Sequence, residues 1–331
     1  MTLDTATEDY VSAALASRTA ATHELTPAEA RARGAALIKL IGPGPAMETV
    51  RAERIARVDG SDLPVRVLVP NGALRGVIGY FHGGGWVLGS LDEFDCLART
   101  IAARTGCVVV MVDYRLAPED PYPAAVNDTS TAVKWLKLNV RDLAGDDLPL
   151  ALLGDSAGGN LAIGAALEDA RSVGPHIDAL VLAYPVTDCD FTRPSYLHPD
   201  NQLLMGVETM QWFFRHYAAD ASVWSQPDVS VVRAQDLSGL PKTLVLLGQH
   251  DPLRDEGQEF SDRLRAAGVS VETKVFQGQM HGFLGLINIL PGAYAALEAI
   301  VNFLEPVLAA AAADRPIPSS DLTAAPSASL E

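Results

Sequence analysis

The sequence predicts an α/β fold with a mostly parallel sheet of about eight strands, helices on both faces and a helical cap. From Gly76 onward, short apolar stretches that suit buried strands alternate with longer stretches that suit helices. This alternation is typical of parallel strands joined by crossover helices. The length of 331 residues, with 48% hydrophobic and 20% charged residues, is enough for one large domain with a sizeable core.

Residues 1–45 are predicted to form N-terminal cap helices. Thr5 to Glu8 and Thr26 to Glu29 both have the spacing of a capping box, the second with proline at the first helical position. The glycines and prolines of 41–45 then predict a break. Two strands follow, near 50–58 and 63–69, and the Asp59-Gly60-Ser61-Asp62 sequence between them predicts a hairpin turn.

Residues 188–223 interrupt the alternation of strands and helices and are predicted to be a cap insertion. The main domain is therefore expected to span 46–187 and 224–312. The apolar residues of the insertion suit either a core helix or a cover over a site; they are Leu203, Leu204, Met205, Met210, Trp212, Phe213 and Phe214. Residues 313–331 are rich in Ala, Ser and Pro, which predicts a disordered tail.

The pentapeptide from Gly154 to Gly158 has the pattern G-x-S-x-G with Ser156 at its centre. An apolar strand precedes it and a helical stretch starting at Ala157 follows it, as in a nucleophile elbow. Side chains at the two glycines would crowd such a turn. The pattern fixes only three positions, so an ordinary strand-to-helix turn with a serine N-cap is the alternative.

A second glycine-rich segment, His82-Gly83-Gly84-Gly85, follows a predicted buried strand at 76–81. Three consecutive glycines leave the main chain bare, so that a substrate oxygen can approach its amides. We predict an oxyanion hole made by the N–H groups of Gly83, Gly84 and Ala157. The alternatives are a flexible loop or a phosphate-binding turn, although no Lys-Ser/Thr follows as in a P-loop. His82 is expected to organise this loop.

A serine nucleophile needs a base, and His281 is the predicted one. It follows a late alternating strand at 271–276, where the chain order Ser, acid, His of this kind of site places the base. The acid is predicted to be Asp251, the first carboxylate after the apolar strand at 243–248. It would hold the imidazole in the useful tautomer. Asp255 and Glu256 are the alternative acids.

The chain resembles the hormone-sensitive-lipase-like family of α/β-hydrolases, which includes many bacterial carboxylesterases. The similarity covers roughly 50–310 and rests on five ordered motifs, at 82–85, 113–119, 154–158, 251–257 and 281–283. Asp155 before the serine places the chain with the Asp-bearing subgroup. The resemblance implies an α/β-hydrolase fold, the triad Ser156, Asp251 and His281, and a lid made from 188–223 and the N-terminal helices.

We therefore expect a serine carboxylesterase for short- to medium-chain esters, with a small-molecule ester as its partner and no cofactor. Trp86, Leu204 and Phe213 are candidates for lining the acyl pocket. The segment 113–119 is expected to give structural support. One alternative is a hydrolase of lactones, amides or carbamates with the same triad, because pocket shape decides the leaving group. Another is a non-catalytic small-molecule-binding protein such as the plant gibberellin receptors, which resemble this family but lack the base.

Composition excludes several other functions. The net charge of −16 argues against nucleic acid and anionic membrane surfaces as partners. The sequence shows no signal peptide, and no uninterrupted apolar run approaches the ~20 residues of a membrane span. The three cysteines lack metal or redox spacing, which favours reduced thiols, a cytoplasmic location and no bound metal. The resemblance also allows a homodimer through the last strand and helix.

Overall fold

A computed structural model of the chain describes residues 3–17, 20–172 and 176–313. Its strands are β1 (Thr49–Ala56), β2 (Asp62–Val69), β3 (Gly76–Phe81), β4 (Cys107–Val112), β5 (Leu150–Asp155), β6 (Ala179–Ala183), β7 (Lys242–His250) and β8 (Val271–Met280). They form one eight-stranded sheet in the order β1-β2-β4-β3-β5-β6-β7-β8.

The sheet is parallel from β4 to β8 and antiparallel at the other edge. β1 pairs with β2 in a hairpin whose register joins Thr49 to Val69, and β2 pairs antiparallel with β4. β3, β5, β6 and β7 follow with parallel neighbours. The predicted mostly parallel sheet and the predicted hairpin are both confirmed. In the parallel part, the carboxyl ends of the strands lie at one edge, where loops can assemble a site.

The helices are α1 (Thr5–Ala16), α2 (Pro27–Ile41), α3 (Asp95–Thr105), α4 (Ala124–Ala144), α5 (Ala157–Asp169), α6 (Pro194–Leu197), α7 (Val207–Tyr217), α8 (Arg254–Ala266) and α9 (Pro291–Ala313). Residues of α4, α5 and α8 belong to one hydrophobic core, whereas those of α3 and α9 belong to a second. The helices therefore cover both faces of the sheet, because each face is apolar and must be buried.

Helix starts follow the sequence with two shifts. Thr26 and Glu29 form the predicted capping box at the start of α2. The cap of α1 is Asp4, one residue before the predicted Thr5, because its carboxylate accepts the N–H of Thr7 at 2.8 Å. Ser90 and Glu93 also have the spacing of a capping box and hydrogen-bond to each other, but α3 begins only at Asp95.

The predicted cap segments contain α1 and α2 at the N-terminus and α6 and α7 in the insertion. Helix α7 contacts the short helical turn Thr22–Glu24 of the N-terminal segment. The two segments therefore meet each other. The tail predicted for 313–331 lies outside the described residues from 314 onward.

Helix α9 is the one described helix that is long and apolar enough to cross a membrane by length and composition. Its side chains Ala293, Leu297, Ile300 and Leu304 are buried in the second core, and the helix packs on α3 and the sheet. Its apolar character therefore has an explanation in the packing of the fold.

Candidate active site

Ser156 lies between the end of β5 and the start of α5, at a sharp turn. Its backbone has φ 53° and ψ −119°, in the region where a non-glycine residue is strained. The strain is stabilised by hydrogen bonds on both sides of the residue: its N–H donates to the carbonyl of Ala183, and its carbonyl accepts from the N–H groups of Val186 and Asn160. The side chain is held at the N-terminus of α5, where backbone N–H groups favour negative charge.

The flanking glycines are required by close approach of the backbone, as predicted. A Cβ at Gly154 would overlap the carbonyl oxygen of Gly158. A Cβ at Gly158 would in turn overlap the carbonyl oxygens of Phe81 and His82, at the end of β3. The turn therefore packs directly against the start of the glycine-rich segment 82–85.

His281 and Asp251 meet Ser156 in one hydrogen-bonded row. The Nε2 atom of His281 lies 3.0 Å from the Ser156 Oγ, and its Nδ1 atom lies 2.9 Å from Asp251 Oδ2. The Asp251 side chain is fully buried and also accepts the N–H of Leu253 at 2.8 Å through Oδ1. This second bond fixes the carboxylate, so the imidazole has a single direction in which to donate.

The alternative acids lie elsewhere. Asp255 accepts the N–H of Ser195 at 2.8 Å, and Glu256 accepts the N–H of Thr187 at 2.7 Å. Burial raises the pKa of Glu256 to about 8, which its two backbone hydrogen bonds only partly offset. Both side chains therefore bind backbone N–H groups of the 187–195 segment and hold that segment in place.

The glycine-rich segment differs from the prediction at Gly83. Its N–H donates to Asp155 Oδ1 at 3.0 Å, and the Tyr80 hydroxyl donates to the same oxygen at 2.8 Å. Gly84 and Gly85 line a cavity beside Ser156, whereas Gly83 is not among the residues that line it. The assignment of Gly83 as an oxyanion donor is therefore corrected, because its N–H already donates to the buried carboxylate of Asp155.

The Asp155 carboxylate is a buried hydrogen-bond acceptor. Burial raises the pKa of its carboxyl to about 6, and the bonds from Tyr80 and Gly83 act in the opposite direction. Such a carboxylate needs its donors, since an unpaired buried charge is costly. The need for a partner therefore explains why the loop amide turns towards residue 155.

His82 and Tyr114 pack together and hold the glycine-rich segment 82–85 in place. This is the supporting role predicted for His82 and for the segment 113–119. The two rings stack with centroids 4.5 Å apart, and the Tyr114 hydroxyl donates to the His82 carbonyl at 2.7 Å. Burial lowers the pKa of His82 to about 4, so its imidazole is neutral at pH 7. A buried neutral ring suits a packing role.

A cavity of about 250 Å³ opens at Ser156 and His281. Its walls come from three parts of the chain: Thr22, Leu37 and Ile41 from the N-terminal segment; Gly84, Gly85 and Glu93 from the main domain; and Leu204, Met205, Thr209 and Phe213 from the insertion. A second cavity of about 190 Å³ shares several of these walls and also reaches His281. The space beside Ser156 is thus mostly apolar, and residues of both predicted cap segments line it.

Two of the three predicted pocket residues line this cavity. Leu204 and Phe213 do so, and the Phe213 ring lies against Gly85, where a Cβ would overlap it. Trp86 does not: it is fully buried and stacks on Tyr217 with centroids 4.2 Å apart. The prediction for Trp86 is wrong, because its backbone φ of 61° and its aromatic neighbours place the indole in the core.

Sequence reasoning missed Asp155 as a loop anchor and Glu93 as a cavity residue. The position of Asp155 inside the pentapeptide was a signal, but only the sheet register shows that β3 and β5 are neighbours. Tyr184, whose ring lies 4.7 Å from that of His281, was also missed. Within the described ranges 3–17, 20–172 and 176–313, no group of three or more His, Cys, Asp or Glu side chains is placed to hold a metal ion.

The comparison with known proteins agrees with this geometry. The profile of the alpha/beta hydrolase fold family matches residues 78–285. Carboxylesterase NlhH of Mycobacterium tuberculosis is 39% identical over 252 residues, which cover 74% of this chain and 78% of that protein. Ethyl acetate hydrolase of Pseudomonas putida is 35% identical over 254 residues, which cover 75% and 79%.

Solved structures give the same result. The hyperthermophilic esterase from the archaeon Pyrobaculum calidifontis superposes with a TM-score of 0.85 at 32% sequence identity, over 92% of this chain and 99% of that one. The sheet order, the ordered motifs and these similarities agree. The chain belongs to the hormone-sensitive-lipase-like family of α/β-hydrolases.

Proposed function

We propose that the protein is a serine carboxylesterase that hydrolyses short- to medium-chain esters through an acyl-enzyme intermediate. The observation that carries the proposal is the hydrogen-bonded row of Ser156, His281 and Asp251 at the mouth of an apolar cavity. A serine hydroxyl becomes a useful nucleophile only with a base beside it, and His281 is within hydrogen-bond reach.

In the acylation step, Ser156 Oγ forms a bond to the ester carbonyl carbon while His281 Nε2 takes the hydroxyl proton. The tetrahedral intermediate then collapses, the bond to the alcohol oxygen breaks, and the imidazolium gives its proton to that oxygen. Asp251 stabilises the imidazolium through the 2.9 Å contact at Nδ1. Water then repeats the sequence on the acyl-enzyme and releases the acid.

The N–H groups of Gly84, Gly85 and Ala157 donate hydrogen bonds to the developing oxyanion. Gly84 and Gly85 line the cavity, and Ala157 is the first residue of α5. Gly83 keeps its bond to Asp155 and holds the loop in place. Donors fixed in this way need no reorganisation when charge develops, which is the main source of their effect.

The size of the cavity supports the substrate class. A volume of about 250 Å³ is slightly below the ~300–1,000 Å³ that is usual for small-molecule pockets, and it suits a short acyl chain. The adjoining cavity of about 190 Å³ reaches His281 on another side and can accept the second part of an ester. The alternatives are lactones, amides and carbamates, which the same three side chains can attack; the non-catalytic alternative would leave His281 without a role.

The direct test is the variant Ser156→Ala with 4-nitrophenyl butyrate as substrate. We expect kcat to fall by about 10⁶ while the protein stays folded, because the nucleophile is gone. Ser61→Ala, an exposed serine in the β1–β2 hairpin, is the matched control and should keep wild-type turnover. If Ser156→Ala kept a turnover near that of the wild type, the proposal would be refuted.

The reaction class is tested by a rate series on aryl esters of increasing acyl length, with a matching anilide, a lactone and a carbamate. A carboxylesterase should turn over the short esters with the highest kcat/KM. Labelling by a fluorophosphonate adds a readout independent of turnover, since the phosphorus should be bound to Ser156 alone in the peptide map.

We further propose that the protein is cytoplasmic, which its free thiols at Cys96, Cys107 and Cys189 favour, and that it forms a homodimer. β8 is an edge strand, and Val275 on it and Tyr294 on α9 are large exposed apolar side chains, which supports a contact between copies. Sedimentation of the wild type and of Val275→Lys tests this, because a charge in the contact should shift a dimer to monomer.

A further inference from the structure

Glu93 places a carboxylate in the wall of the active-site cavity, where the other walls are mostly apolar. It lies two residues before α3, on the loop that continues from the glycine-rich segment. Its side chain is half-buried, and burial raises the pKa of its carboxyl, with the neighbouring Asp92 acting in the same direction. The reaction proposed above gives this group no part.

The carboxyl group is held in place by two neighbours. The Ser90 hydroxyl donates to its Oε1 atom at 3.1 Å, and the Glu93 N–H donates to that hydroxyl at 3.3 Å. On its other side the carboxyl group lies against Gly34 of α2, where a Cβ would overlap it. The absence of a side chain at position 34 thus leaves the room that the carboxyl group occupies.

No cation of the described chain compensates this charge. Among the described residues, no Lys or Arg forms an ion pair with Glu93, and none lines the cavity. The other carboxylate in the wall is Asp155, whose hydrogen bonds to Tyr80 and Gly83 hold it in the loop. The remaining titratable groups of the wall are His281 and Tyr184, and burial raises the pKa of the Tyr184 hydroxyl, which keeps it neutral.

From this arrangement we infer that Glu93 is a specificity-determining residue, which favours esters that carry a positively charged group, such as a quaternary or primary ammonium, at a distance from the reacting carbonyl. The inference rests on the proposed esterase function and adds a substrate class to it. A fixed carboxylate in a partly water-excluded cavity attracts a cation more strongly than it would in bulk solvent. A neutral ester of the same shape gains nothing from it.

The test compares isosteric substrates that differ in charge. On the acyl side, the 4-nitrophenyl esters of 4-(trimethylammonio)butanoate and 5,5-dimethylhexanoate share one shape. On the alcohol side, choline butyrate and 3,3-dimethylbutyl butyrate do so. In Glu93→Gln, the ratio of kcat/KM for the cationic over the neutral ester should fall about tenfold for one of the pairs, which corresponds to ~1.4 kcal/mol. The neutral ester should change by less than about twofold.

Asp92→Asn is the matched control, because it removes the same charge from the adjacent residue, whose side chain is 71% exposed and pairs with Arg66. It should leave both ratios unchanged. The wild-type preference should also weaken as ionic strength rises. An unchanged ratio for both pairs in Glu93→Gln, or an equal loss on cationic and neutral esters, would overturn the inference.

The proposed function is tested separately in the same series. Loss of neutral-ester hydrolysis in Ser156→Ala supports the esterase, whatever the ratios do. An unchanged ratio together with that loss rejects only the role of Glu93. Retained hydrolysis in Ser156→Ala rejects the esterase assignment itself.

Discussion

The carboxylate of Asp155 accepts the N–H of Gly83 at 3.0 Å, which ties the residue before the proposed nucleophile to the glycine-rich loop. The bond joins the last residue of β5 to the loop that follows β3, and the two strands are neighbours in the sheet. The position of the proposed oxyanion donors relative to Ser156 therefore depends on this carboxylate.

Asp155→Ala should lower kcat by about 10²–10³, the effect of losing one oxyanion-hole donor, because the loop amide and the Tyr80 hydroxyl lose their acceptor. Asp155→Asn keeps an oxygen at this place and should retain kcat within about tenfold. Steady-state kinetics on 4-nitrophenyl butyrate measure both. Since the role is positioning, kcat should fall more than KM rises. Equal losses in the two variants would contradict this role.

The assignment of the acid is tested at Asp251. Asp251→Asn should reduce kcat by roughly 10⁴, because an amide at this place no longer fixes the imidazole tautomer or stabilises the imidazolium. Asp255→Asn is the matched control, since Asp255 is the next carboxylate on the same turn and bonds to Ser195. Its kcat should stay near the wild-type value. A large loss in Asp255→Asn with little change in Asp251→Asn would reverse the assignment.

The sequence predicted the meeting of Ser156, Asp251 and His281 because each lies at the end of a strand in a regular α/β alternation. Parallel strands bring their carboxyl ends to one edge, so chain order alone constrains the three side chains. The flanking glycines were predictable for a similar reason, since a tight turn leaves no room for a Cβ.

The direction of single groups was not predictable in the same way. The N–H of Gly83 and the side chain of Trp86 both turn away from the cavity, one to a buried carboxylate and the other to the Tyr217 ring. Both outcomes depend on neighbours that are distant in sequence. The spacing of Ser90 and Glu93 indicates a helix start, and only the fold reveals that Glu93 lines the cavity.

Phe213 should limit the length of the acyl chain. Its ring lies in the cavity wall against Gly85 and is held by Trp212, with centroids 5.3 Å apart. Phe213→Ala removes this wall, so the ratio of kcat/KM for an octanoate over an acetate aryl ester should rise by about tenfold, for ~1.4 kcal/mol of new apolar contact. Stability should fall by about 3–5 kcal/mol, as for other buried phenylalanines.

The ratio of two esters separates the effect on the pocket from the loss of stability, because both substrates report on the same folded fraction. Phe213→Leu is the conservative variant and should give an intermediate ratio. A ratio that stays at the wild-type value in Phe213→Ala would remove Phe213 from the acyl site, although it would leave the assignment of Ser156 intact.

Glu256 should make the free energy of unfolding depend on pH. Its carboxyl is fully buried, and burial raises its pKa from 4.5 to about 8. Between these values the folded state keeps a proton that the unfolded state has released. The contribution of Glu256 to stability is therefore fully present below about pH 4.5 and falls as pH rises towards 8.

Glu256→Gln carries a neutral side chain at every pH and should lack this dependence. From pH 5 to pH 8.5, the stability of the wild type relative to this variant should fall by on the order of 4 kcal/mol, as measured by urea unfolding at each pH. Glu272→Gln, at a partly exposed position of β8, is the control for losing one carboxyl group and should follow the wild type. A constant difference between the wild type and Glu256→Gln across this range would mean that Glu256 is ionised in the folded protein, and that Thr187 and Asp188 donate to a buried anion.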